Sequence, residues 1–126
     1  MTDGVFNVKY MLLIYMAENA MNEGEREQCY RDSTQLAHDL KADGKYVAAG
    51  PLQSVATATS VRIREGRRVV TDGPFAETRE QLGGYYIIDV EDLDAAISVA
   101  GRIPPVRKGT VEIRPLIELP GLPEEG

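Results

Sequence analysis

The sequence predicts an α+β fold: an antiparallel sheet with two helices on one of its faces. Three observations carry this. Residues 8–16 are a nearly continuous apolar run, the pattern of a buried central strand. Two stretches, residues 25–43 and 91–102, repeat apolar side chains at i, i+3 and i+4, the helical period. Between them, residues 57–64 alternate apolar and polar side chains and run into Glu65-Gly66, a two-residue hairpin turn.

Taken in order, residues 8–16 form the first strand, with Tyr10 and Tyr15 inside the run. A loop follows, in which Asn22 and Glu25, three residues apart, fit a capping box. The first helix carries Cys29, Ser33, Leu36, Ala37 and Leu40 as its inner stripe and a Glu27–Arg31 pair on its surface, and Gly44 is its stop. Residues 46–50 make a short strand closed by Gly50-Pro51, and residues 53–56 connect it to the hairpin. On the hairpin, Thr59, Val61 and Ile63 share one face, and Ser60, Arg62 and Arg64 share the other. Residues 67–71 return and end in Asp72-Gly73-Pro74-Phe75. Gly73 suits a positive φ and Pro74 fixes its own, so this loop is expected to hold one shape.

Gly83 and Gly84 open the next strand, residues 83–90, and signal a bulge or a close backbone approach. Tyr85 and Tyr86, being adjacent, point to opposite faces of it. The second helix has Leu93, Ala96, Ile97 and Ala100 as its stripe and Asp92 and Asp94 at its positive end, and Pro104-Pro105 stops it. Residues 110–116 are the last strand, with Val111 and Ile113 opposite Glu112 and Arg114, and Pro115 marks an end or an edge. The order β-α-β, hairpin, β-α-β is that of a ferredoxin-like domain with an inserted hairpin, spanning residues 8–119 between loose ends at 1–7 and 120–126. Both helices cover the same sheet face. The other face keeps apolar residues that nothing left in the chain can cover, which implies a homodimer packed through its sheets.

Composition narrows the function. A chain of 126 residues is one domain by size. A net charge of −6 argues against direct nucleic-acid binding, which normally needs a basic face. No apolar run is long enough to span a bilayer, and residues 1–7 show no export signal. One cysteine, Cys29, one histidine, His38, and no CxxC leave little material for a His/Cys metal site and suggest a reducing cytoplasm. No cofactor is expected, since no glycine-rich phosphate loop leads into a helix.

Five blocks, in order, resemble the DGPF branch of the YCII-related family. They are Lys9-Tyr10-Met11-Leu12-Leu13-Ile14-Tyr15, Ala58-Thr59-Ser60-Val61-Arg62, Val70-Thr71-Asp72-Gly73-Pro74-Phe75-Ala76-Glu77-Thr78, Leu82-Gly83-Gly84-Tyr85-Tyr86 and Val111-Glu112-Ile113-Arg114-Pro115. The resemblance implies a dimeric α+β barrel, in which two sheets pack face to face, in a small bacterial protein. It also implies, for some members, a genomic link to sigma factors. The better-studied YCII branch carries a His and an Asp proposed as an acid–base pair. Here those positions hold Cys29 and Ile103, so that chemistry does not carry over.

The candidate site residues follow. Asp72 is a general base if a cleft tunes it, or else the cap of its own turn. Gly73 and Pro74 are structural, and Phe75 anchors the loop or lines a cleft. Arg62, Arg64 and Arg114 either line an anion pocket or form an outward charged face. Tyr85 and Tyr86 each face one side of the sheet. Glu77 and Glu80 either join Asp72 around a divalent ion or are solvated charges. His38 is expected on the surface, and Cys29 as a small buried hydrophobe. The reading is a cytoplasmic homodimer that binds a small, anionic polar metabolite in a dimer cleft near Asp72, as a sensor or accessory factor. Two alternatives remain: a proton-transfer enzyme of isomerase or lyase type using Asp72, and a protein-interaction module.

Overall fold

The structure, a computed structural model, describes residues 6–123. Of the expected loose ends at 1–7 and 120–126, residues 1–5 and 124–126 lie outside the described residues. Six strands and two helices follow one another as β1 (Val8–Met16), α1 (Glu23–Ala42), β2 (Tyr46–Pro51), β3 (Thr59–Arg64), β4 (Arg67–Asp72), β5 (Gln81–Val90), α2 (Leu93–Ala100) and β6 (Thr110–Pro115), with single 3₁₀ turns at Val55–Thr57 and Pro104–Arg107. The main sheet is antiparallel throughout, in the order β2-β5-β1-β6, and β3 and β4 form a separate two-stranded sheet. This is the ferredoxin-like α+β arrangement, with the hairpin set apart from the sheet it interrupts.

Local chemistry places each element. Asn22 Oδ1 accepts from the Glu25 backbone N–H at 2.8 Å while Glu25 Oε1 accepts from the Asn22 N–H at 3.0 Å, a complete capping box. At the other end of α1 the Lys45 N–H reaches the Leu40 carbonyl and the Gly44 N–H reaches the Lys41 carbonyl, a Schellman stop. Asp92 caps α2 by accepting from the Ala95 N–H at 2.9 Å. In β5 the register steps from Ile14↔Gly84 to Tyr15↔Leu82, so Gly83 is the extra residue of a β-bulge. Gly84 is a close approach as well: a Cβ there would lie 3.1 Å from the Gly50 carbonyl oxygen of β2. Both readings of the glycine pair therefore hold, one for each residue.

The core lies between the main sheet and the two helices. Tyr10, Leu12 and Ile14 of β1 and Tyr86, Ile88 and Val90 of β5 face inward and meet Leu36 and Leu40 of α1 and Ala96, Val99 and Ala100 of α2. The stripe of α2 differs from the expected one. Leu93 and Ile97 are 50% and 51% exposed, and the buried row is Ala96, Val99, Ala100 and then Ile103 beyond the helix end. Both rows satisfy the helical period. The two rows share Ala96 and Ala100, and the observed one turns Val99 inward, with Ile103 completing it beyond the helix end. Helix α1 starts two residues earlier than expected, at Glu23, and Arg31 donates to Gln28 Oε1 at 2.8 Å rather than pairing with Glu27.

Two apolar surfaces stay open. The sheet face away from the helices carries Met11, Leu13 and Tyr15 of β1 beside Tyr85 and Ile87 of β5, edged by Glu112 and Arg114 of β6. The hairpin is the second. Its Glu65-Gly66 turn has both residues at positive φ, 51° and 75°, and pairs Arg64 with Arg67, a tight type I′ hairpin. Neither β3 nor β4 packs substantially against any other element.

Candidate functional site

A groove lies where small residues face small residues. On α1, Cys29, Ser33 and Ala37 recur every fourth position on the side turned toward β2. Opposite them stand Ala49 and Gly50 of β2 and Gly83 and Gly84 of β5. These small side chains leave space open between α1 and the β2 edge of the sheet. A groove of about 610 Å³ results, within the usual size of a small-ligand site. It runs along α1 from Arg26 to Lys41, and Leu52, Leu82 and Tyr85 form its outer wall.

The polar groups of the groove are partly committed. Arg26 Nη2 donates to the Glu18 carbonyl at 2.8 Å, and Glu18 in turn accepts from Ser54 Oγ at 2.9 Å and the Val55 N–H at 2.8 Å. These bonds tie the loop after β1 to the 3₁₀ turn after β2 and fix one end of the groove. The Tyr86 hydroxyl donates to the Ser33 carbonyl at 2.6 Å, which holds α1 to β5 along the floor. Burial pushes the pKa of Tyr86 up, as it does that of the Cys29 thiol, whose Sγ lies 4.0 Å from Ser33 Oγ. A thiol held protonated is a packing group and not a nucleophile. Ile103 is fully buried, so the two positions where the resemblance would put an acid–base pair hold an inert thiol and an alkyl chain. His38 is exposed on α1, as expected, yet it also lines the far end of the groove beside Lys41.

The residues around Asp72 make a different place. Asp72 ends β4 opposite Thr59 and is exposed. Among the described residues no hydrogen bond holds its carboxylate, so it does not cap its turn. The turn is built by the Gly73 N–H donating to the Ala58 carbonyl at 2.7 Å and by Ser60 Oγ donating to the Gly73 carbonyl at 2.8 Å. Gly73 does take a positive φ, 99°. Phe75 is 79% exposed, and its carbonyl accepts from Arg62 Nη2 at 3.4 Å. Arg62, Arg64 and Phe75 line a shallow depression with Ser60 and Val61.

Arg114 does not join them: it stands on β6 opposite Met11, on the open sheet face. Near it, the Tyr15 hydroxyl donates to Glu112 Oε1 at 3.3 Å, and the Tyr15 pKa is raised by desolvation and by the Glu112 charge. Tyr85 is on the open face, with its ring against Gly50, while Tyr86 faces the helices. Among the described residues no three His, Cys, Asp or Glu side chains converge as metal ligands. Glu80 instead accepts from Thr110 Oγ1 at 3.0 Å. No helix among them is long and apolar enough to cross a membrane.

Sequence reasoning thus singled out the hairpin loop and, of the groove's lining, only Tyr85 and Tyr86 among its ligand-binding candidates. The signal existed in pieces, as Cys29, Ser33 and Ala37 at i, i+4 and i+8 and as the Ala-Ala-Gly and Gly-Gly runs of two strands. It becomes a site only when the topology sets those pieces opposite one another.

Comparison with known proteins agrees with the architecture. The YCII-related domain matches residues 8–120. A protein of Rhizobium meliloti (strain 1021), named only as uncharacterized, is 38% identical over 116 residues, covering 85% of this chain and 90% of that relative. On the extent of that match, the chain belongs to the YCII-related family.

Proposed function

We propose that this YCII-related protein is a homodimeric binder of a small anionic metabolite, acting as a sensor or accessory factor, with the α1–β2 groove as its site. The observation that carries this is the groove itself, about 610 Å³ of unfilled space between two walls of small residues. Its chemistry suits a compact acid. Leu52, Leu82, Tyr30 and Tyr85 offer an apolar surface for the body of the molecule. Lys41 at one end and Arg26 at the other offer cations for a carboxylate or phosphate, and the His38 ring beside Lys41 offers a further hydrogen-bonding group. The open sheet face of Met11, Leu13 and Ile87 supports the dimer. The Asp72-Gly73-Pro74-Phe75 loop supports placement in the DGPF branch, and a sigma-factor link rests on that resemblance alone.

Arg62, Arg64 and Phe75 support a second reading, in which the anion sits in the hairpin depression. Acid–base catalysis by Asp72 is less well supported, because its carboxylate is exposed and lacks the burial that tunes a general base.

Titrating benzoate, an apolar body with one carboxylate, into the ¹⁵N-labelled protein separates the sites. Binding in the groove shifts the amides of Ser33, Gly50, Gly83 and Gly84. Thr34→Trp, an exposed α1 position on the groove wall, abolishes the shifts, and Arg62→Ala leaves them. Shifts confined to residues 60–75 and lost in Arg62→Ala move the site to the hairpin. No shift at either place contradicts a site for small acids.

A further inference from the structure

The β3–β4 hairpin cannot stand alone by ordinary energetics. An isolated two-stranded hairpin is marginal in water and needs a hydrophobic face packed on something. This one has such a face. Register puts Val61 opposite Val70 and Ile63 opposite Arg68 on one side, and Val61, Ile63 and Val70 are 61%, 60% and 57% exposed. Neither strand packs substantially against any other element of the protomer. The hairpin is also basic. It holds Arg62, Arg64, Arg67 and Arg68 against Glu65 and Asp72, in a chain whose net charge is −6. The remainder of the chain is therefore more acidic than the whole, and the hairpin is charged to meet it.

The protomer offers one surface of matching character. The open sheet face is apolar at Met11, Leu13 and Ile87, and its β6 margin holds the exposed Glu112 carboxylate beside Arg114, with Glu118 paired to Lys9 beyond the strand. We propose that the hairpin is a docking arm for a second copy of this chain. Its Val61–Ile63–Val70 face lies along the β6 margin of the partner's open sheet, and Arg68, on the same face, meets the Glu112 carboxylate there. Because each copy has one arm and one margin, the contact is reciprocal and closes as a two-fold dimer. The inference rests on the homodimer reading above and extends that interface at its edge. It also gives the rigid Asp72-Gly73-Pro74-Phe75 loop a task, since that turn sets the angle at which the arm leaves the body.

Analytical ultracentrifugation of the whole chain tests it. The wild type is expected to dimerise. Val61→Lys with Ile63→Lys, both at positions exposed in the protomer, is expected to weaken the dimer by about a hundredfold or more while leaving the circular dichroism unchanged. Arg68→Glu weakens it less, and adding Glu112→Arg to that chain restores part of the loss, because the pair is then reversed and not broken. A wild type that stays monomeric overturns both the arm and the homodimer. A wild-type dimer whose dissociation constant does not change in the lysine variant overturns the arm alone.

Discussion

Helix α1 and the β3–β4 hairpin are both two-faced elements, and the protomer treats them in opposite ways. The helix lays Cys29, Leu36 and Leu40 against the sheet until Leu40 is fully buried. The hairpin leaves Val61 and Ile63 about as exposed as its charged neighbours. The difference is in what stands opposite. Helix α1 returns over a strand already paired, so its stripe finds Tyr86 and Ile88 waiting. The hairpin is inserted after the edge strand β2, beyond the reach of either helix. An apolar face states that an element must be covered; only topology states whether the same chain does it.

That contrast can be broken most forcefully at the core. Leu12 is fully buried under both helices. Leu12→Ala should lower the unfolding free energy by about 2–5 kcal/mol, whereas Ile63→Ala should stay within about 0.5 kcal/mol when urea unfolding is measured on dilute, dissociated protein. A large loss from Ile63→Ala under those conditions would mean that the hairpin packs on its own protomer after all.

A smaller effect sharpens the account of how α1 is set. Asn22→Ala removes the side-chain acceptor of the capping box and should cost about 1 kcal/mol in the same assay, with no effect on dimer strength. The cap also carries a pH signature. The Asn22 backbone N–H donates to Glu25 and Lys108 Nζ pairs with it at 2.9 Å, which together hold the Glu25 carboxyl below its usual range. A group with a lower pKa in the folded state adds stability above its unfolded value and loses it as the pH falls through its folded value. The melting temperature should therefore drop on acidification, and Glu25→Gln should flatten that part of the curve.

The legible parts of the fold were those with local causes. Strand β1 runs over residues 8–16 as its apolar run requires, and the Asn22–Glu25 box and the Glu65-Gly66 turn form where their residue types stand. Alternation put Tyr85 and Tyr86 on opposite faces, and the structure decides which: Tyr86 turns to the helices and Tyr85 to the open face. What was not legible depended on partners distant in sequence. Two rows on α2 share Ala96 and Ala100 and satisfy the same period, and packing against the sheet, not pattern, chose Val99 over Leu93 and Ile97. The groove is a gap between α1 and two strands whose small residues are unremarkable in isolation. Arg62 and Arg114 share an alternating pattern but sit on different sheets. Of the two expectations for Asp72, general base or side-chain cap, the cap is not formed: the turn is built from backbone groups and Ser60.

The central claim is that one apolar surface is completed within the protomer and the other between two copies. Amide hydrogen exchange read by mass spectrometry, run well below and well above the association midpoint, tests it most directly. Peptides from β1, β5 and α1 should exchange at concentration-independent rates, and peptides covering residues 59–72 should gain protection as the protein associates. Hairpin amides that exchange equally at both concentrations, in a protein shown to be dimeric at the higher one, would contradict the claim.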